Sequence, residues 1–270
     1  MNKMGWMFAL ALSAGMCSFS FAQVTGKVTL TGKIPEMAEI AAIKAVPDCA
    51  KQHKDPVYEE TVVAGEKGEL ANVVVSVKTP EGKELGKAST TPAVLDQKGC
   101  IYVPHVVALM VGQPLDVKNS DPFLHNVHTL SIDNTAMNVG MVTVGDKKIE
   151  PFKAAETFKV KCDVHPWMVA WICVLDNPYF AVTSADEKGI GAYSIDTKGL
   201  PDGDYTFVAW HEKYGTQEQK GKVTGGKAQV NFNFDADKKA QAVPAKEIRF
   251  ASTATCPACA AKSATVASAK

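Results

Sequence analysis

The chain has 270 residues with 29 basic and 29 acidic side chains, long enough for one large or two small domains with real cores. It carries no long run of like charge and no repeat at solenoid spacing. Arg249 is its only arginine, so the basic stripe and arginine set of a nucleic-acid binder are missing and that class is set aside.

Asn2 and Lys3 make a short positive start, residues 4–16 are almost wholly apolar, and Ser20-Phe21-Ala22 offers small residues to a signal peptidase. This pattern predicts a signal peptide over 1–22 and a periplasmic or secreted protein. Removing it takes away one lysine and no acid, leaving 28 bases against 29 acids and a formal charge of −1. No later stretch approaches the about 20 apolar residues of a membrane span, so no span is expected in the mature chain.

Strand signals then dominate. Val24–Thr31 alternates at period two, and Ala71–Lys78 reads as a buried strand. The spacing supports one short helix, over 36–46. Leu115–Lys118, Thr157–Val160 and Val169–Leu175 are further strands. Ala192–Ile195, Tyr205–Trp210 and Ala228–Phe234 follow, all rich in β-branched or aromatic residues. Turns at Pro80-Glu81-Gly82, Pro201-Asp202-Gly203 and Gly225-Gly226 separate them. The predicted class is mainly β, as β-sandwiches. From about Asp235 aromatics nearly vanish, and 237–270 reads as a flexible tail carrying Cys256-Pro-Ala-Cys259.

The chemistry concentrates in Lys161-Cys162-Asp163-Val164-His165-Pro166-Trp167-Met168. One thiolate, one imidazole and one thioether lie in a single loop between two apolar strands. Soft sulfur with imidazole suits copper, and two His with one Cys and a distant Met is the blue-copper arrangement. Zinc would be expected to take a further Cys, His or carboxylate instead of the Met. A second histidine must come from elsewhere, and Asn119-Ser-Asp-Pro-Phe-Leu-His125-Asn-Val-His128 offers two. His125 is preferred because it follows a Pro-containing turn and can point back from a loop end.

Residues 96–175 resemble the cupredoxins. Ile101-Tyr-Val-Pro-His-Val-Val-Ala-Leu-Met-Val-Gly-Gln-Pro-Leu-Asp-Val-Lys-Asn looks like the strands leading to the first ligand of plastocyanin-like proteins. His125-Asn126-Val127 matches that ligand and the Asn that ties the two ligand loops together. Cys-x-x-His-x-x-Met, with proline after the histidine, is similar to the short ligand loop of amicyanin. The resemblance implies one type 1 copper ion on His125, Cys162, His165 and Met168. It also implies an apolar patch around His165, for which Pro122, Phe123, Leu124, Pro166 and Trp167 are the candidates. Ala170 stands where the family usually has glycine, which implies a small packing change. Any one of the four residues alone would read as ordinary core; four in order, with His-Asn-Val upstream, do not.

Residues 24–78 and 179–234 more faintly resemble the two halves of a carboxypeptidase regulatory-like sandwich. The expected organisation is therefore a cupredoxin Greek-key β-sandwich at 89–176 inserted into a second small β-sandwich made of 24–88 and 177–236. Trp171 and Cys173 should face that second unit, with Cys173 a free core thiol, while Ile172 and Val174 face the cupredoxin interior.

Cys49 and Cys100 lie outside the ligand set beside turn residues and are expected to form a disulfide. Cys256 and Cys259 read as a local disulfide or a weak copper-capture pair. His53, His105, His128 and His211 are unassigned, with His105 or His128 an option for an extra ligand. Met110, Met137 and Met141 read as core or loop. The expected role is one-electron transfer with a redox partner protein, for which cytochromes are candidates, and not catalysis, since no Ser-His-Asp set, carboxylate pair or second metal cluster is evident. The alternatives are copper storage or delivery without a redox role, and a structural module with a vestigial site.

Overall fold

The computed structural model describes residues 22–186 and 189–238. The signal-peptide expectation falls outside them apart from Ala22, as does the tail from 239 onward with Cys256 and Cys259. The described chain is almost entirely β, as its alternation predicts. In order it forms β1 (Gln23–Thr31), a 3-10 turn (Ala41–Ala45), α1 (Pro47–Ala50), β2 (Val74–Val77), β3 (Ala93–Lys98), β4 (Ile101–Val103), β5 (Val106–Met110), β6 (Leu115–Asn119), β7 (His125–Thr129), β8 (Asn138–Met141) and β9 (Gly145–Ile149). It continues with β10 (Glu156–Lys161), β11 (Val169–Leu175), β12 (Phe180–Val182), β13 (Ala192–Asp196), β14 (Gly203–His211), β15 (Gly215–Val223), β16 (Ala228–Gln229) and β17 (Phe232–Asp235).

The helix expected over 36–46 is not formed. Residues 41–45 make the 3-10 turn, and Pro47 holds Val46 extended, so α1 starts afresh after it.

Four sheets make two sandwiches. In one, sheet β4-β3-β6-β9 faces sheet β5-β11-β10-β7-β8 across Leu95, Leu115, Val117, Val127, Phe158 and Ile172. In the other, β1 with β13, β16 and β17 faces sheet β12-β2-β14-β15 across Val28, Leu70, Val75, Phe207, Phe232 and Phe234. Burying each such side chain stabilises the fold by about 1.5–3 kcal/mol before entropy is charged. β2 and β12 are antiparallel neighbours, Ser76 opposite Phe180, so the chain leaves this sheet after Val77 and returns to the adjacent position. Buried Asn177 fastens the two crossings, donating to the Val77 carbonyl at 2.7 Å and the Thr79 hydroxyl at 2.9 Å.

The sandwiches meet along a third apolar cluster. Val74, Val208 and Trp210 from β2 and β14 pack on Val106, Cys173 and Leu175 from β5 and β11. Strand alternation on β11 sends Ile172 and Val174 into the first core and Trp171 and Cys173 into this seam. The rings of Trp171 and Trp210 meet edge to face with centroids 5.3 Å apart. Cys173 is a free, fully buried thiol, and burial pushes it up to about 12. Ala170 is buried in the first core without disturbing β11.

Candidate metal centre

Three loops lie together at one end of the first sandwich: 120–124 before β7, 142–144 between β8 and β9, and 162–168 between β10 and β11. Asn119 joins the first two, donating to the carbonyls of Phe123 at 3.0 Å, Met141 at 3.1 Å and Thr143 at 3.2 Å. The third closes on itself. The Cys162 N–H donates to the Met168 carbonyl at 3.2 Å, and the Met168 N–H to the His165 carbonyl at 2.9 Å.

These loops bring His125, Cys162 and His165 together, with one ligand atom of each within 4.8 Å of the others and all three residues buried. His125 Nδ1 and His165 Nδ1 are 3.0 Å apart, and Cys162 Sγ is 3.8 Å from His165 Nδ1. Met168 is fully buried in the same core as Cys162.

Each imidazole is held by its other nitrogen. His125 Nε2 contacts Asp121 Oδ2 at 2.8 Å, which turns Nδ1 toward the cluster. Asp121 is fixed in turn by the β3–β4 hairpin. Gly99 (φ +65) and Cys100 (φ +56) form its two-residue turn, a left-handed pair that suits the strand twist. Their N–H groups donate to the Asp121 carboxylate at 2.8 and 2.9 Å. His165 Nε2 lies 3.5 Å from Cys49 Sγ. Cys49 and Cys100 form the expected disulfide, which fastens α1 to the hairpin turn and lies against the His165 ring. Trp167 Nε1 donates to the Cys100 carbonyl at 2.9 Å, tying loop 162–168 to the same turn.

The electrostatics follow this packing. Burial pushes the Cys162 thiol up, but contact with His125 and backbone N–H groups outweighs it and holds the thiol below its ordinary range. Burial disfavours charge on His125, yet Asp121 and Cys162 together raise it. His165 is lowered by burial and by the charge on His125. The Cys162 thiol is thus shifted down and the His125 imidazole up, each by contact with the other and with its fixed neighbours.

The remaining histidines lie elsewhere. His128 bonds Asp163 at 3.0 Å on the surface, His105 pairs with Glu212 across the seam between the sandwiches, and His53 Nε2 contacts the Gly99 carbonyl at 2.6 Å. His211 is buried in the second sandwich, where its ring stacks on Tyr214. Met141 is buried opposite His125 on β8 and Met137 packs against the same core, while Met110 is half-buried at the end of β5. The sequence reading missed Asp121, although its place four residues before His125 in an Asn-Ser-Asp-Pro turn was a signal that a carboxylate stood within reach. It also missed the disulfide's place on His165.

Around the cluster, Pro122, Leu124, Val164 and Pro166 are exposed, and Phe123 and Trp167 are half-buried against the rings of His125 and His165. Val142 (74 % exposed) and Val144 (60 %) widen this apolar rim beyond the residues named from the sequence. A cleft of about 230 Å³ opens beside Met168 and Trp167, lined also by Tyr58, His105, Lys159 and Glu212.

No family model and no curated protein matches the chain. Among solved structures it is similar to a Cu-containing nitrite reductase (NirK) from Thermus scotoductus SA-01, at 18 % identity and a TM-score of 0.30, over 36 % of this chain and 25 % of that one. It is similar to a methionine-to-alanine mutant of amicyanin in its Cu(I) form, at 18 % identity and a TM-score of 0.29, over 37 % of this chain and 97 % of that one. A purple cupredoxin from Nitrosopumilus maritimus matches at 20 % identity and a TM-score of 0.26, over 30 % of this chain and 98 % of that one. The structural neighbours are thus cupredoxins, matched over a minority of this chain; the chain spans a quarter of the length of the nitrite reductase.

Proposed function

We propose that the chain is an exported type 1 copper protein that binds one copper ion through His125, Cys162, His165 and Met168 and carries single electrons between redox partners. The observation that carries this reading is the convergence of His125 Nδ1, Cys162 Sγ and His165 Nδ1 in one buried cluster whose residues are each pinned from behind. The donor set fits copper, since two imidazoles, a thiolate and a thioether in the same loop combine soft sulfur with nitrogen.

Copper bound there supplies one-electron chemistry by alternating between Cu(I) and Cu(II). The chain's own residues keep the ligands still. Asp121 orients His125, and Asn126 accepts the Asp163 N–H at 2.8 Å beside Cys162. Phe123, Trp167 and the disulfide close the cluster against water. Two loops mounted on paired strands resist the ligand movement that would slow electron exchange. The apolar rim of Leu124, Val142, Val144, Val164 and Pro166 is suited to brief docking by a redox protein such as a cytochrome. The first sandwich, 89–176, would be the copper-carrying domain, and 24–88 with 177–236 its support. The disulfide accords with an oxidising compartment. In this reading the protein is a carrier and not an enzyme.

The test is the visible spectrum of the purified protein with Cu(II). A thiolate bonded to Cu(II) gives an intense charge-transfer band and a blue or green colour. Colourless protein that nevertheless retains copper would replace electron transfer with storage or delivery.

A further inference from the structure

We propose that Cys49 and Cys100, in their reduced form, hold a second Cu(I) ion beside the first site. The proposal takes the identity of the metal from the reading above. Its geometry is independent of that reading. The two sulfurs, bonded to each other here, and a ring nitrogen of His165 lie within 4.8 Å of one another, and all three residues are buried. Cys49 Sγ is 3.5 Å from His165 Nε2, the nitrogen that faces away from Cys162 and His125. One imidazole therefore looks onto sulfur from both edges. Cys100 also groups with Asp121 and His125, which sets a carboxylate close to the sulfur pair.

The disulfide that ties α1 to the hairpin also lies against the His165 ring. Its surroundings also suit a soft cation. Ile43, Cys49, Cys100 and Tyr102 are buried in the first core, with Ile40 and Trp167 packed against it, so water is excluded and thiolate selects Cu(I). α1 has only four residues, and Asp48, Lys51 and Gln52 around it are exposed, so a small segment has to lift for a reductant to reach the bond.

The chemistry balances with an external dithiol. The Cys49–Cys100 bond breaks by thiol–disulfide exchange. The two electrons come from the dithiol, which becomes a disulfide, and its two protons pass to the new thiols. Cu(I) then displaces both thiol protons without changing its own oxidation state. The two thiolates are the minimal holder of a cuprous ion, and His165 Nε2 becomes a third donor when its proton leaves. Exchange with an external disulfide, which takes the two electrons and two protons and leaves as a dithiol, rejoins Cys49 to Cys100, removes both thiolates and expels the ion, so copper load follows the thiol redox state.

The experiment counts Cu(I) per chain by native mass spectrometry and by competition with bicinchoninate, without oxygen. Cys256→Ser/Cys259→Ser is the background throughout, so that tail thiols do not contribute. A phosphine reduces the disulfide and is removed before Cu(I) is added. The expected result is one Cu(I) on the oxidised chain and two on the reduced chain. Adding Cys49→Ser/Cys100→Ser should hold the count at one in both states. If that variant does not fold, Cys162→Ser, which leaves the disulfide in place, should bind none when oxidised and one when reduced. An equal count on the oxidised and reduced background chains overturns the proposal, as does an increment on reduction that persists without Cys49 and Cys100. Failure of the first site alone is distinguishable, since the oxidised chain would bind none and the reduced chain one.

Discussion

Asn126 Oδ1 accepts the backbone N–H of Asp163 at 2.8 Å, and the Cys162 thiol points at the same oxygen from 3.2 Å. The amide nitrogen of Asn126 reaches Asn138 at 2.6 Å and Asp163 at 3.0 Å. One side chain on β7 thus binds the β10–β11 loop to β8. Asn126→Leu keeps the volume and removes every bond. Unfolding free energy should fall by about 1–3 kcal/mol, the cost of leaving buried polar partners unpaired. Denaturant titration should show a lower midpoint with an unchanged slope. The Cu(II) band of the same variant should broaden as Cys162 gains freedom.

The ligand assignment predicts a pattern across four variants. Cys162→Ser should abolish the visible band, since no sulfur remains to donate charge. His125→Ala should open a position to water and shift the band. Met168→Gln should leave a coloured site with a lower potential, because a harder axial oxygen favours Cu(II). His128→Ala should change the spectrum little, because His128 is engaged with Asp163 on the surface. Bleaching by His128→Ala with colour retained in His125→Ala would reassign the ligand.

Asp121 should matter nearly as much as a ligand while never touching the metal. It receives His125 Nε2 and the N–H groups of Gly99 and Cys100. Asp121→Asn keeps the shape but loses the charge that fixes the His125 tautomer. Copper affinity measured by chelator competition should fall by about 10–100-fold. An unchanged affinity would show that His125 needs no such support.

Loop 162–168 was legible as a candidate site because Cys162, His165 and Met168 are neighbours in sequence and the flanking strands are strongly apolar. β11 lies at Val169–Leu175, as its pattern predicts. The structure places His125, the histidine after the proline turn, beside Cys162 and His165, and His128 against Asp163 at the surface. What the sequence did not reveal is contact between distant segments. The spacing of Asp121 and His125 puts a carboxylate within reach, but that Asp121 is held on His125 depends on the distant β3–β4 turn presenting two N–H groups. Cys49 and Cys100 were paired because both lie outside the candidate ligand set beside turn residues, but the disulfide's place on the His165 ring follows from the packing of Ile43 and Cys49 into the first core. β15 escaped notice because Thr216–Lys222 is polar throughout, held by pairing with β14 along its full length and not by an apolar face. The helix over 36–46 failed because Pro47 overrides the propensity of the alanines before it.

Removing the disulfide should destabilise the fold more than removing any single ligand. Cys49 and Cys100 are 51 residues apart, and closing that loop restricts the unfolded chain by about 4 kcal/mol in the chain-entropy model. Cys49→Ala/Cys100→Ala should therefore lower the unfolding free energy by roughly this amount. A loss below about 1 kcal/mol would mean that packing of residues 41–50 alone suffices.

His211 gives the second sandwich a pH dependence with a definite sign. Its ring is fully buried between Tyr214 and Phe234, and Nδ1 accepts the N–H groups of Lys213 at 3.1 Å and Tyr214 at 3.4 Å. Burial pushes the imidazole down to about 4, against a weaker pull upward from Glu212. The unfolded chain then binds a proton between its ordinary value near 6.5 and 4 while the folded chain does not. Stability is therefore complete above pH 6.5 and declines as pH falls toward 4, by about 3 kcal/mol over that window. His211→Asn retains an acceptor for the two N–H groups and cannot titrate. It should be less stable than wild type at pH 7, because it packs less well against the aromatic rings. Its unfolding free energy should nevertheless fall less steeply between pH 6.5 and 4, with the other titrating groups common to both proteins. Denaturant titrations at half-unit pH steps measure the two slopes. Parallel curves would show that His211 is protonated as readily folded as unfolded.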